Sequence, residues 1–186
     1  MAEQLTEQPV LLGPAPSPPI RWTERMMLDL VRARYSAVNP GNGPRYVVAE
    51  HVRNQAGFGG YYAEGEHHQL RTADAIVVDL WPSTGNALHG IEVKVSRSDW
   101  LTELKDPAKA DAFKPYCDHW WLAVPDAAIV RDDLPDGWGL LVAGKDGSTL
   151  RQRVAAPRLE RREMPFGMTA ALLRAATRTA ASGGGG

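Results

Sequence analysis

Ile91-Glu92-Val93-Lys94-Val95 alternates apolar and charged residues one by one. Side chains on a strand point to opposite faces in turn, so this stretch predicts a strand that sends Ile91, Val93 and Val95 into a core and stands Glu92 and Lys94 together on the opposite face. Upstream, Pro82-Ser83-Thr84-Gly85-Asn86 is turn chemistry, and segment 73–81 reads as a strand that is almost wholly apolar after Asp74, as expected of a strand covered on both faces. Strands 73–81 and 88–95 across so short a connection make a hairpin. Their pairing brings Asp74 near Glu92.

Outward from the hairpin, Thr23 is a plausible N-cap for a first helix whose Met27, Leu30, Val31 and Tyr35 recur at helical spacing, and the run Asn39-Pro40-Gly41-Asn42-Gly43-Pro44 ends it. A strand is expected at 45–52, then a long glycine-rich loop at 54–69 that should be mobile. After the hairpin, Ser96 or Ser98 caps a helix bearing Trp100, Leu101 and Leu104 that breaks near Pro107 and continues to Tyr116. Strands are expected at 119–124, 138–143 and 150–154, and a last helix at 169–179. This order predicts an α/β fold, a mixed sheet flanked by helices.

The chain has 186 residues, 44% hydrophobic and 23% charged, which suits a single globular domain. The domain is expected at 20–180, between a disordered Pro-rich leader at 1–19 and a flexible Gly-rich tail at 181–186. No apolar run is long enough to cross a membrane, and the N-terminus lacks a basic region followed by an apolar one, so a cytoplasmic protein is expected. The lone Cys117 can form no internal disulfide and reads as a small buried apolar residue. The net charge of −1 gives no overall basic footprint, although segment 151–178 is locally rich in arginine.

A Glu-x-Lys pair on a strand, taken alone, is more often a surface ion pair than a catalytic one. Here it sits on an otherwise apolar strand, and Asp74 opens a buried one, where a carboxylate is costly unless bound or paired. Converging carboxylates are the usual hard-oxygen platform for Mg²⁺ or Mn²⁺. Phosphodiester hydrolysis requires an activated water and neutralisation of charge on the phosphorus oxygens. A metal on Asp74 and Glu92 supplies both, and Lys94 would orient the water or stabilise the transition state.

Other residues carry weaker signals. Glu50 near the end of its strand is a candidate third metal ligand, and Glu24 lies in a helical first turn where the dipole alone favours it. Lys105 and Lys109, four apart on the helix after the motif, could reach DNA phosphates. His51, His67 and His68 lack the helical spacing of a zinc pair. Gly57-Phe58-Gly59-Gly60 opens no helix and is no dinucleotide fingerprint.

Arg71-Thr72-Ala73-Asp74, Ile91-Glu92-Val93-Lys94-Val95-Ser96, Asp99-Trp100 and Tyr116-Cys117-Asp118-His119-Trp120-Trp121-Leu122-Ala123-Val124-Pro125 together resemble the MmcB-like DNA-repair proteins, a branch of the PD-(D/E)xK nuclease superfamily. The resemblance runs from about Arg45 to Ala143. It implies a restriction-endonuclease-like core and a Mg²⁺- or Mn²⁺-dependent DNA nuclease of repair or phage type, with Asp74, Glu92 and Lys94 in the metal-binding and catalytic roles. It also implies a further glutamate, for which Glu50 and Glu24 are the candidates. Ala73 stands where the superfamily's namesake motif has proline. The alternative is an inactive nucleic-acid-binding module on the same fold.

Overall fold

A computed structural model of the chain describes residues 20–41, 43–54 and 70–183. The expected leader 1–19 and nearly all of the expected loop 54–69 lie outside these residues.

Helix α1 (Glu24–Arg34) starts where Thr23 accepts the Met26 N–H, and it buries Met27, Leu28, Leu30 and Val31. A two-residue pair, β1 (Val38–Asn39) with β2 (Gly43–Pro44), occupies the expected chain break. The main strands follow as β3 (Tyr46–Arg53), β4 (Thr72–Asp79) and β5 (Leu88–Val93), each within two residues of its sequence expectation. Next come α2 (Arg97–Leu104), α3 (Ala108–Asp111) and β6 (His119–Val124). Strands β7 (Trp138–Ala143) and β8 (Leu150–Val154) and helix α4 (Phe166–Gly183) complete the chain.

Among the described residues the six long strands form one sheet in strict sequence order, β3-β4-β5-β6-β7-β8. Strands β3, β4 and β5 are antiparallel neighbours, β5, β6 and β7 run parallel, and β8 returns antiparallel to β7. A parallel step needs a crossover, and α2 with α3 supplies the one between β5 and β6.

Both faces of the sheet are covered. On one, α1 packs with Ala75, Val77, Ile91, Val93, Trp121 and Ala123. On the other lie Trp100 of α2, Ala110 of α3, Phe113 and Met168, Leu172 and Ala175 of α4, against Ile76, Trp120, Leu122 and Val124. The second face is therefore core as well, and Glu92, on the face opposite Ile91 and Val93 as the alternation predicts, is only 1% exposed.

Consecutive tryptophans on β6 set the local packing. Trp120 lies across Gly90 of β5, where an added Cβ would fall 2.1 Å from the indole ring. Trp121 lies across Gly139 of β7 on the opposite face, where a Cβ would come within 2.4 Å of its ring. Each indole needs a neighbouring strand without a side chain at that position.

Two expectations are corrected at helix ends. The break expected near Pro107 is present, but the second piece ends at Asp111, and a separate 3-10 turn at Lys114–Tyr116 stands where the helix was expected to continue. The last helix begins at Phe166 and runs through Gly183, past the tail expected from 181. Its final turn is held by tertiary contacts: the Glu50 N–H donates to Thr179 Oγ1 at 2.9 Å, and Arg32 donates to Ser182 Oγ at 3.1 Å. The sheet's edges differ, since α4 packs against β3 whereas β8 presents Arg151, Gln152 and Arg153 to solvent. Among the described residues no helix is long and apolar enough to cross a membrane.

Candidate active site

Ladder pairing between β4 and β5 ends at Ala75 opposite Ile91, and the next pair in that register is Asp74 opposite Glu92. Asp74 Oδ2 accepts the Val93 N–H at 2.8 Å, so a side chain takes over where the backbone ladder stops. Glu92 sits opposite Leu122 of β6 and points under the crossover. Lys94 lies just beyond β5, and its backbone N–H still donates to Ala123 O at 3.0 Å.

The crossover completes the site. Lys94 Nζ and Lys109 Nζ both hydrogen-bond Glu92 Oε1. The same two ammoniums reach Glu103 Oε2, at 3.0 and 3.1 Å. Three carboxylates and two ammoniums thus gather under α2 and α3: Asp74, Glu92 and Glu103 with Lys94 and Lys109. Helix α2 is fixed at its start by Ser96, which accepts the Asp99 N–H at 3.2 Å, and by Asp133, which takes the Arg97 guanidinium and accepts Trp100 Nε1–H at 2.6 Å. After its end, Arg71 at the approach to β4 pairs with Asp106 at 2.6 Å.

Burial and the neighbouring Asp74 charge push the Glu92 carboxyl well above the ordinary carboxylate range, while Lys94 and Lys109 pull against them. For the lysines burial works the other way, yet Glu92, Asp74 and Glu103 hold both ammoniums above their usual range. Burial would raise Glu103, but Lys94 and Lys109 bring it below its usual value. Buried carboxylates gathered in this way favour cations beside them, as the two ammoniums show. It opens through a cleft of about 310 Å³ lined by Lys94, Asp99, Thr102, Glu103, Asp106 and Lys109.

Asp74, Glu92 and Lys94 lie together as the strand alternation predicts, and Lys109, singled out only as a possible phosphate contact, joins them through Glu92. Glu50 does not join them. It pairs with Ala75, on the α1 face, and Arg25 and Arg32 clamp its carboxylate through bonds of 2.6 to 2.8 Å. Although burial opposes ionisation there, the two guanidiniums hold Glu50 at about 2. It anchors α1 through this ion pair and lies apart from Asp74 and Glu92. Glu24 lies 3.8 Å from His51, also away from the cleft, and Lys105 is exposed at the end of α2. Part of the arginine-rich segment is committed internally, because Arg158 and Arg161 pair with buried Asp118 at 3.2 and 2.9 Å. Glu103 was not singled out from the sequence. Its signal is that Asp99, Glu103 and Asp106 share one face of α2 and its extension, opposite Trp100 and Leu104.

Among the described residues no group of three or more His, Cys, Asp and Glu side chains is arranged to hold a metal ion by itself. Mg²⁺ needs only one or two protein carboxylates, keeping water for the rest. The donor set suits a hard cation, and two side-chain cations already lie against Glu92.

Comparison with models of known families finds no match, and neither does comparison with curated proteins. Among solved structures, the SPO1766 protein of unknown function from Silicibacter pomeroyi is similar at 22% identity over 74% of this chain and 76% of that one, with a TM-score of 0.47.

Proposed function

We propose that the chain is a metal-dependent DNA nuclease with a restriction-endonuclease-like core, of the PD-(D/E)xK type that its motifs resemble. The observation that carries this reading is the placing of Asp74 beside Glu92 by β4 and β5, with the Lys94 ammonium on the same side at a cleft. Asp74 and Glu92 would hold Mg²⁺ or Mn²⁺. When bound, the ion supplies an activated water and neutralises charge on the phosphorus oxygens.

The chain's own groups have separable tasks. Asp74 is fixed by the Val93 N–H, so its carboxylate needs little reorganisation to serve as a ligand. Lys94 is a point charge on a rigid strand end, placed to orient a water or meet an oxygen that becomes negative in the transition state. Around the cleft Asp74, Glu92, Asp99, Glu103 and Asp106 outnumber Lys94, Lys109 and Arg71, so a bound divalent cation would ease the approach of a DNA phosphate. Metal should therefore bind before DNA.

The test is cleavage of end-labelled single-stranded, duplex and branched DNA with Mg²⁺, Mn²⁺ or EDTA. Cleavage of one of these forms with either metal, abolished by EDTA, is the expected result. Absence of cleavage on every form, with DNA still bound, would replace this reading by that of a nucleic-acid-binding module.

A further inference from the structure

Lys94 and Lys109 make the same two contacts, each bridging Glu92 Oε1 and Glu103 Oε2. Two ammoniums on one pair of oxygens repel each other, so one of them should leave more easily when another cation arrives. Their supports differ. Lys94 continues a core strand, its backbone is bonded to Ala123, and its side chain is 11% exposed. Lys109 lies on the four-residue α3, which follows Pro107 with no side-chain cap, and its side chain is 25% exposed at the cleft.

We propose that Lys109 is a resident counter-ion: its ammonium keeps Glu92 and Glu103 compatible with burial until a divalent cation displaces it toward the mouth, where it can contact a phosphate. This rests on reading Asp74 and Glu92 as the metal-binding pair. Lys109 is a positioning residue of the metal-free state in this account, and metal and ammonium compete for the same carboxylate oxygen. A displaced Lys109 still faces Glu103 and Asp106 along the cleft wall, so a short side-chain movement is enough. It would arrive at the mouth as a positive charge just when the entering phosphate needs one.

The experiment is calorimetric titration of the full chain with Mn²⁺, for wild type and Lys109→Met. Removing a competing unit charge should tighten Mn²⁺ binding about ten-fold, read directly as Kd and without any cleavage assay. Wild-type binding with no tightening in Lys109→Met would overturn the counter-ion role and leave the metal site standing. No binding by either protein would overturn both.

A second measurement uses wild type alone, in case the variant does not fold. Amine acylation, followed by mass spectrometry, should become several-fold faster at Lys109 when saturating Mg²⁺ is added, with Lys105 and Lys145 unchanged as exposed references. Unaltered labelling of Lys109 at saturation would equally overturn the proposal.

Discussion

Asp74 accepts the Val93 N–H at 2.8 Å, and through that bond the strand that carries Glu92 also fixes the carboxylate facing it. The charge of Asp74 and its bond to Val93 can therefore be separated by substitution. An asparagine carbonyl can still accept the N–H, but brings no charge.

For Asp74→Asn the fold should persist, with a melting temperature in EDTA equal to or above that of wild type, because repulsion against Glu92 is relieved. Mg²⁺ should then raise the melting temperature far less than it does for wild type, and cleavage should fall with it. Thermal melts with and without Mg²⁺, beside a cleavage assay, check both halves. Full metal-induced stabilisation in the variant would remove Asp74 from the metal site.

Lys94→Ala should separate chemistry from binding. Loss of a charge directed at the transition state typically lowers the rate by about 10² to 10³-fold, whereas Mn²⁺ should bind at least as tightly because a competing ammonium is gone. Single-turnover cleavage and calorimetry measure these effects independently. A variant that cuts like wild type would exclude Lys94 from the mechanism.

The Glu50 clamp predicts acid sensitivity. Folding holds this carboxyl at about 2, against 4.5 for the free group. The folded state thus binds fewer protons, and the stabilisation is complete above the unfolded value and lost as pH falls toward the folded one. In Glu50→Gln, Arg25 and Arg32 face each other without their counter-ion. With Arg25 half-exposed, we expect a loss of about 2 kcal/mol at neutral pH, discounted for solvent screening. Wild type should therefore lose stability more steeply than Glu50→Gln between pH 4.5 and about 2. Urea unfolding at a series of pH values tests this, and neutral-pH cleavage should be unchanged.

Gly90→Ala is expected to destabilise by about 3 kcal/mol, at the top of the usual range for overpacking, because the Trp120 ring and the Cys117 sulfur leave no room for a methyl group. Gly167→Ala is the matched control: it lies in the first turn of α4 with nothing within 4 Å of an added Cβ. Alanine there should be neutral or gain up to about 1 kcal/mol. Urea midpoints of both variants decide it.

What could be read from the sequence was whatever depends on local pattern. The alternation through Glu92 and Lys94 and the turn before them were enough to bring Asp74 opposite Glu92. Contacts made by distant elements were not visible in this way. Glu50 lies on a strand much as Asp74 does, and its commitment to Arg25 and Arg32 depends on where α1 docks. The pairing of Glu103 with Lys94 and Lys109 depends on the fold of the crossover around Pro107. Coverage of both faces was legible in the apolar run after Asp74, but which helices close over Glu92 was not, because that depends on how α2 and α3 fold back across β5.

The two edges of the sheet bear on how this protein behaves at high concentration. An edge strand offers unpaired backbone groups to any other strand, including one from another copy, and aggregation commonly begins there. Helix α4 obstructs such pairing at β3, whereas at β8 the deterrent is electrostatic, with Arg151 and Arg153 on an exposed strand. Protection at β8 should weaken as salt screens those charges, so the protein should be more prone to self-association through β8 than through β3 in concentrated, high-salt solution.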